Sequence, residues 1–205
     1  MKPIILYGAG GHCFAAAALI KSLGEYAPSI VYDDAPKLTS IMDIPVEKYE
    51  GADLNNVPLC ITIGTNTIRK KLAEKLKGEY PSFVHSSATV YPGVKIGPGS
   101  LVHPNAVLDA DVHIKSHCIV NNNATVSHNV KTGDFVHIAI QAAVAGGVRI
   151  GEGTLVGAGS VILPEINIGK WVTIGAGAVV TKDIPDHAVV FGNPAKIIRY
   201  NSKNE

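Results

Sequence analysis

From Val84 to Val180 the apolar positions recur every sixth residue. Sixteen of these seventeen positions are Val, Ile or Leu, and the exception is Thr132. Two residues before most of them stands a small or β-branched residue, such as Ala88, Ala106, Val112, Cys118, Ala124 or Val136. A glycine follows directly at Gly97, Gly133, Gly151, Gly157, Gly169 and Gly175. An amphipathic helix repeats at about 3.6 residues and a half-buried strand at about 2. A period of six is a short strand plus a turn, which predicts an all-β parallel β-helix. Three hexads close one triangular coil of about 18 residues, and successive coils stack at about 4.8 Å. Residues 18 apart are therefore expected to lie one above the other. The hexad count does not supply the hand of the coil, although right-handed crossovers are the general rule.

The pattern before the hexads is different. Pro3–Tyr7 reads as a buried strand, and Gly8-Ala9-Gly10-Gly11-His12 follows it. An Ala-rich segment to about Leu23 predicts a helix with Gly24 as its stop. Ser29–Tyr32 and Pro58–Ile63 predict two more strands, while 38–50 is ambiguous and Pro45 favours loop or edge. Thr65 or Asn66 can cap a second helix running to Lys77, with Gly78 closing it. Strand, Gly-rich turn, helix and strand give a small Rossmann-like α/β unit. The expected division is residues 1–80 (Rossmann-like), 81–186 (β-helix) and 187–205 (a strand and a basic tail), with Asn201–Glu205 frayed.

Composition narrows the function. The 205 residues carry a formal net charge of +1 with 17% charged residues, so no basic field points to nucleic acid. The three cysteines (Cys13, Cys60, Cys118) form neither a disulfide framework nor a zinc pattern. No apolar stretch approaches the roughly 20 residues of a membrane span, and no secretory signal is read. The expectation is a cytoplasmic protein without a membrane partner.

Two places carry candidate chemistry. Gly8, Gly10 and Gly11 lie between a strand and a helix, where backbone N–H groups and a helix N-terminus receive a phosphate or pyrophosphate. The run lacks the last glycine of GxGxxG, because Cys13 stands there. Asp33-Asp34 fall where an acid meets a ribose or base. The second place is His128, in Thr125-Val126-Ser127-His128-Asn129, at a corner with Ala110 one coil below and Gly146 one coil above. An imidazole with no bulk on either side has room for a substrate and is the usual general base near neutral pH. The stacks His85–His103–Asn121 and Asn105–Asn123–Gln141 read as hydrogen-bonded ladders. His113 and His117 read as solvated or interface residues.

Together the two halves make the chain resemble the bacterial sugar acetyltransferases of the sialic acid and bacillosamine type (the NeuD/PglD group). The resemblance rests on Tyr7–His12 (YGAGGH), Tyr32–Asp34 (YDD), Thr62–Lys71 (TIGTNTIRKK), the hexads with TVSH, Phe135–Ile140 (FVHIAI) and Val189–Ile198 (VVFGNPAKII). It implies a left-handed β-helix that binds acetyl-CoA and an N-terminal unit that binds a nucleotide sugar. Gly10, Gly11 and His12 then match the diphosphate loop, and Asp33, Asp34 and Gly64 match other nucleotide contacts. His128 matches the catalytic base, and the Gly146 N–H matches the oxyanion donor. His137, Ala158 and Ala176 match positions lining the acetyl-CoA channel. The resemblance also implies a homotrimer with sites between neighbouring prisms, and no metal.

One position departs from that pattern. The family often has an acid directly after the base, and here Asn129 stands there. Coil stacking places Asp111 below Asn129 and Asp109 below Ser127, so Asp111, or else Asp109, is the candidate partner of His128; both aspartates also read as ordinary turn formers. The expected reaction moves acetyl from acetyl-CoA to the amino group of a nucleotide-linked sugar, with UDP the first choice of nucleotide. Lys196 and Arg199 are candidates for CoA phosphates. The alternatives are sugar O-acetylation and a non-catalytic nucleotide-sugar scaffold. A zinc-dependent carbonic anhydrase of the same solenoid type needs two His five apart, whereas His113 and His117 are four apart.

Overall fold

A computed structural model of the chain describes residues 1–54 and 57–201. The N-terminal unit runs β1 (Lys2–Tyr7), α1 (Gly11–Leu23), β2 (Tyr26–Asp33), β3 (Ser40–Ile41), β4 (Ile44–Lys48), β5 (Leu59–Ile61) and α2 (Asn66–Lys75). The sheet order is β3-β4-β2-β1-β5, with β1 interior and parallel to both β2 and β5. An interior parallel strand is covered on both faces, which is why its apolar run is unbroken. The ambiguous 38–50 stretch is a hairpin at the sheet edge. Ile44 and Val46 turn inward while Pro45 and Glu47 turn out, and Met42 and Asp43 form the turn with positive φ. The alternation outweighed Pro45, whose missing N–H faces away from β3, just before the parallel pairing with β2 begins at Val46.

Gly24 ends α1 in the left-handed conformation, as expected. The second helix stops two residues before Lys77, because Leu76 leaves it in an extended conformation. Leu76 is buried with Leu54, Leu59, Ile61 and Leu72, so packing ends this helix. Gly78 serves close approach, since a Cβ there would meet Leu59 Cβ at 3.1 Å.

Seventeen two-residue strands follow, from β6 (Phe83–Val84) to β22 (Val179–Val180). Each from β6 to β19 pairs in parallel with the strand 18 residues on, as Ile119 with His137 and Val126 with Val144. The result is a left-handed prism with three walls. The first wall takes β6, β9, β12, β15, β18 and β21, the second β7 to β22, and the third β8 to β20, every third strand in turn. The hexad aliphatics and the small residues two places before them fill one continuous core. Thr132 is buried in that column, and its Oγ1 accepts the Lys115 N–H at 3.1 Å. The hydroxyl satisfies a backbone donor, so the polar exception costs little. Gly151 shows why glycine follows the aliphatic: a Cβ there would lie 2.5 Å from the backbone of Gly169, one coil on.

After the prism, β23 (Ala188–Phe191) extends the first wall and β24 (Lys196–Tyr200) returns antiparallel to it. Asn201, expected to fray, is anchored: its Nδ2 donates to Trp171 O and Thr173 Oγ1, both at 3.2 Å. The rest of the expected frayed tail, 202–205, lies outside the described residues.

The N-terminal unit sits on the first wall. Phe83 and Leu101, facing out from that wall, are buried with Ile4, Ala16, Ile20 and Cys60. Helix α2 runs along the corner between the third and first walls. Arg69 Nε donates to His117 O at 2.8 Å, Arg69 Nη2 to Phe135 O at 2.9 Å, and Asn66 Nδ2 to Gly153 O at 3.0 Å. These three carbonyls are 18 residues apart, so one helix face reads three successive coils. His117, expected to be solvated or at an interface, is buried here, at the seam with the N-terminal unit. Its ring stacks on Phe135 at 5.2 Å and meets the edge of Tyr80, and burial with Arg69 nearby lowers its pKa to about 4.

Candidate active site

His128 occupies the corner between β13 (Thr125–Val126) and β14 (Lys131–Thr132), where the second wall turns into the third. The side chain is exposed. Its ring lies over buried Gly146, and a Cβ at 146 would fall 2.4 Å from Cε1 and 2.6 Å from Nε2. Any side chain at 146 would push the imidazole away, so the glycine is a packing requirement of the histidine. Backbone bonds along the solenoid hold both turns: Gly147 N–H donates to His128 O, and Ala145 N–H to Ile162 O.

His128 Nδ1 lies 2.9 Å from Asn129 Oδ1. Asn129 Nδ2 donates to Asp111 Oδ2 at 3.1 Å. The stacking of Asp111 under Asn129 is therefore as the coil arithmetic required, but Asp111 reaches His128 only through the amide. Asp109 bonds within its own turn, accepting the Ala110 N–H.

The expected nucleotide residues meet at the C-terminal ends of the strands of the N-terminal sheet. Gly10 is the N-cap of α1, with no side-chain cap and no acid in the first turn, so the helix end is open to an anion. No atom crowds Gly10 or Gly11. Asp33 spends its oxygens on the loop, accepting the Ala9 N–H at 2.7 Å and the Ala35 N–H at 2.9 Å. Asp34 accepts the Tyr7 hydroxyl at 2.8 Å, and burial with Asp34 alongside raises the Tyr7 pKa. Both acids thus shape the loop, and their remaining lone pairs are what a nucleotide could use. Gly64 lies in van der Waals range of His12.

Between this loop and the first wall lies a group of imidazoles. The His12 ring is 5.6 Å from His103 and 6.3 Å from His137. The expected His85–His103 ladder is not formed. His85 bonds Ser87 in its own turn, while His103 is buried against the N-terminal unit with an unpartnered Nε2. Asn121 turns to His137, at 3.3 Å. Nor do Asn105, Asn123 and Gln141 need a side-chain ladder: all three have positive φ, and the backbone N–H groups of Asn123 and Gln141 donate to carbonyls one coil back. Burial, then neighbouring imidazoles and Arg69, lowers His12 to about 3. Burial and His85 lower His103 to about 4, and burial and Arg69 lower His137 to about 4. The unfolded chain binds these protons at about 6.5 and the folded one only at about 3 for His12 and about 4 for His103 and His137, so stability is lost as pH falls below about 6.5. Thermal melts from pH 7 to 4.5 should show Tm dropping progressively below about pH 6.5, and His103→Gln should flatten the slope.

On the same wall, a cleft of about 360 Å³ opens beside the N-terminus of α2, lined by Gly64, Thr65, His137, Leu155, Trp171 and Thr173 among others. Ala158 and Ala176 are exposed one coil apart at the corner between the first and second walls, joined by the bond from Gly177 N–H to Ala158 O. Lys196 and Arg199 lie exposed on β24. His113 stands on the third wall beside Asp111, and among the described residues no group of three or more His, Cys, Asp or Glu is placed to hold a metal ion.

Sequence reasoning missed Arg69, Trp171 and the turn of His103 toward His12. Asn66, Arg69 and Leu72 fall at i, i+3 and i+6, which is the one signal that this polar pair lies on the buried helix face.

Residues 3–76 match the family model described as the PglD N-terminal domain. Residues 129–164 and 147–182 match the bacterial transferase hexapeptide model of six repeats. Comparison with curated proteins gives no match. Among solved structures, the chain is similar to the acetyltransferase domain of PglB from Neisseria gonorrhoeae FA1090, at 34% identity over 97% of this chain and 100% of that one, with a TM-score of 0.89. That domain is also solved with acetyl coenzyme A, at 36% identity over 96% of this chain and 99% of that one, with a TM-score of 0.89. PerB from Caulobacter crescentus, in complex with CoA and GDP-perosamine, is 30% identical over 96% of this chain and 97% of that one, with a TM-score of 0.88. WeeI from Acinetobacter baumannii AYE is 27% identical over 97% of this chain and all of that one, with a TM-score of 0.86.

Proposed function

As this chain belongs to the hexapeptide-repeat, PglD-like acetyltransferases that act on nucleotide sugars, we propose that its two binding regions and its corner histidine serve acetyl transfer from acetyl-CoA to a nucleotide-linked amino sugar. Transfer to nitrogen takes precedence over O-acetylation, because one relative is named perosamine N-acetyltransferase and is solved with CoA and GDP-perosamine. The observation that carries the assignment of the base is the His128 ring seated on Gly146, with its Nδ1 held by Asn129.

In this reading the α1 N-terminus and Gly10, Gly11 and His12 receive the diphosphate, with Asp33, Asp34 and Gly64 around the nucleotide. His137, Ala158 and Ala176 line the path of acetyl-CoA. His128 Nε2 takes a proton from the attacking amine. The nitrogen bonds to the thioester carbonyl, the oxyanion meets the Gly146 N–H, and the C–S bond breaks to release CoA thiolate. An amine must be neutral to attack, so activity falls on the acid side. UDP-linked amino sugars remain the first substrates to test; the GDP-perosamine complex of the relative makes GDP-linked ones the second. Thiol release from acetyl-CoA, measured across UDP-, GDP-, CMP- and dTDP-linked amino sugars, tests this. No release with any amino sugar sinks the reading.

The topology supports a site shared between copies in a homotrimer. The nucleotide loop and His137 lie on the first wall, while His128 lies at the corner between the second and third. In a triangular prism that corner is opposite the first wall, so the chain's own core stands between its loop and its base. The corner bearing Ala158 and Ala176 is free to meet a neighbour's His128 corner. Gly11→Glu would place a carboxylate at the anion site without crowding, and His128→Ala would remove the base. Each variant alone should be nearly inactive. Co-assembled in equal amounts, they should regain about a quarter of the sites, since half of the bases meet half of the intact loops in a cyclic assembly. A mixture as inactive as its parts would place the whole site in one chain.

A further inference from the structure

We propose that Asp111 is a positioning residue that sets the tautomer of His128 by fixing which end of the Asn129 amide faces it. This rests on the reading of His128 as the base.

A carboxylate is an acceptor only, whereas an amide offers a donor at one end and an acceptor at the other. Asp111 Oδ2 lies 3.1 Å from the outer end of the Asn129 side chain. That end must be Nδ2, so the inner end, 2.9 Å from His128 Nδ1, must be Oδ1. An oxygen there requires a proton on Nδ1, and a neutral imidazole protonated on Nδ1 carries its free lone pair on Nε2. A base needs that lone pair. With the amide reversed, Nδ2 would donate to Nδ1, the proton would move to Nε2, and the histidine could not accept from a substrate at that atom. The Asn129 amide alone does not choose between these states. Asp111 chooses.

The fold supplies the geometry. Asp111 and Asn129 are equivalent turn residues one coil apart, both with positive φ, at 56° and 61°. That conformation suits short polar residues and brings the two side chains into register. The Asn129 N–H donates to Ala110 O at 3.0 Å, which ties the upper turn to the lower. The second carboxylate oxygen, Oδ1, lies 3.4 Å from His113 Nε2 without a hydrogen bond, and Oδ2 takes the Asn129 amide. A residue that cannot stabilise an imidazolium as a charged neighbour would is thus given a fixed direction by a charge one coil away.

A double-mutant cycle tests this. Asp111→Ala should lower kcat about 5-fold, the value of one lost hydrogen bond, with KM for both substrates unchanged. Asn129→Ala removes the amide through which Asp111 acts. Whatever its own rate, adding Asp111→Ala to it should change kcat less than twofold. Nitrogen NMR of the His128 ring should show the Nδ1–H form in the wild type and a mixture with the Nε2–H form in Asp111→Ala. Asp109→Ala, which loses only a bond within its turn, should match the wild type. The proposal is overturned if Asp111→Ala costs as much in the Asn129→Ala background as in the wild type, or if the tautomer does not change; Asp111 is then only a turn former. The ring spectrum reads this without catalysis, so a fully active His128→Ala would end the assignment of the base while leaving the Asp111–Asn129 lock measurable.

Discussion

His128→Ala should lower kcat about 10²- to 10⁴-fold, the usual worth of a positioned general base, and leave both KM values within a few-fold of wild type. The split follows from where the residue stands. The side chain is exposed at a corner, and removing it takes no apolar surface from the core. The turn is held by backbone bonds, Gly147 N–H to His128 O and Asn129 N–H to Ala110 O. Neither needs the imidazole, so the fold should be intact by thermal melt. In this reading the nucleotide is held by the loop of the N-terminal unit and acetyl-CoA by the corner bearing Ala158 and Ala176, and the imidazole belongs to neither set, which is why ground-state binding should survive. A loss confined to kcat means the interaction matters only in the transition state. Steady-state kinetics of the full-length protein decide this. Equal rates in wild type and variant would remove the base, and a rise in KM alone would make His128 a binding residue.

The sequence determined the solenoid almost completely, because its rule is arithmetic. A six-residue period fixes strand, turn and wall, and an 18-residue coil fixes every vertical neighbour. That is why Asp111 under Asn129 and Gly146 over His128 follow from the count alone. The arithmetic says nothing about what lies outside the prism. His103 has the same hexad address as His85, yet one is buried against His12 and the other bonds its own turn. His117 reads as a turn residue and is covered by Tyr80 and α2. In each case the docked N-terminal unit decides the side chain's fate, and docking is long-range. The N-terminal strands were legible from their apolar runs, but the end of α2 was not. Leu76 leaves the helix to fill a space that exists only once β5 and Leu54 are in place.

Arg69→Met should destabilise the chain more than any surface change, by about 3–5 kcal/mol, as for a buried charged group whose partners are left behind. Arg69 is 1% exposed. It donates to Ile63 O, Gly64 O, Asn66 Oδ1, His117 O and Phe135 O, at 2.8 to 3.0 Å. Methionine fills most of the volume but donates nothing, so buried acceptors on both sides of the seam lose a partner. An unsatisfied buried acceptor costs about 1–3 kcal/mol; relaxation and water entry keep the total below the sum. Burial lowers the Arg69 pKa to about 10, so the group stays charged at neutral pH and its bonds are the strong, charge-assisted kind. Lysine should not rescue, because one ammonium cannot span carbonyls on two coils as a planar fork does. The consequence for function is specific. Gly64 O is among the acceptors, and Gly64 touches His12, so the guanidinium ties the nucleotide loop to the solenoid. Chemical denaturation should show the N-terminal unit melting at lower denaturant than the prism in Arg69→Met, where the wild type melts in one transition. KM for the sugar nucleotide should rise well before kcat falls. A variant with wild-type stability and a single transition would show that the seam is held by Phe83 and Leu101 packing alone.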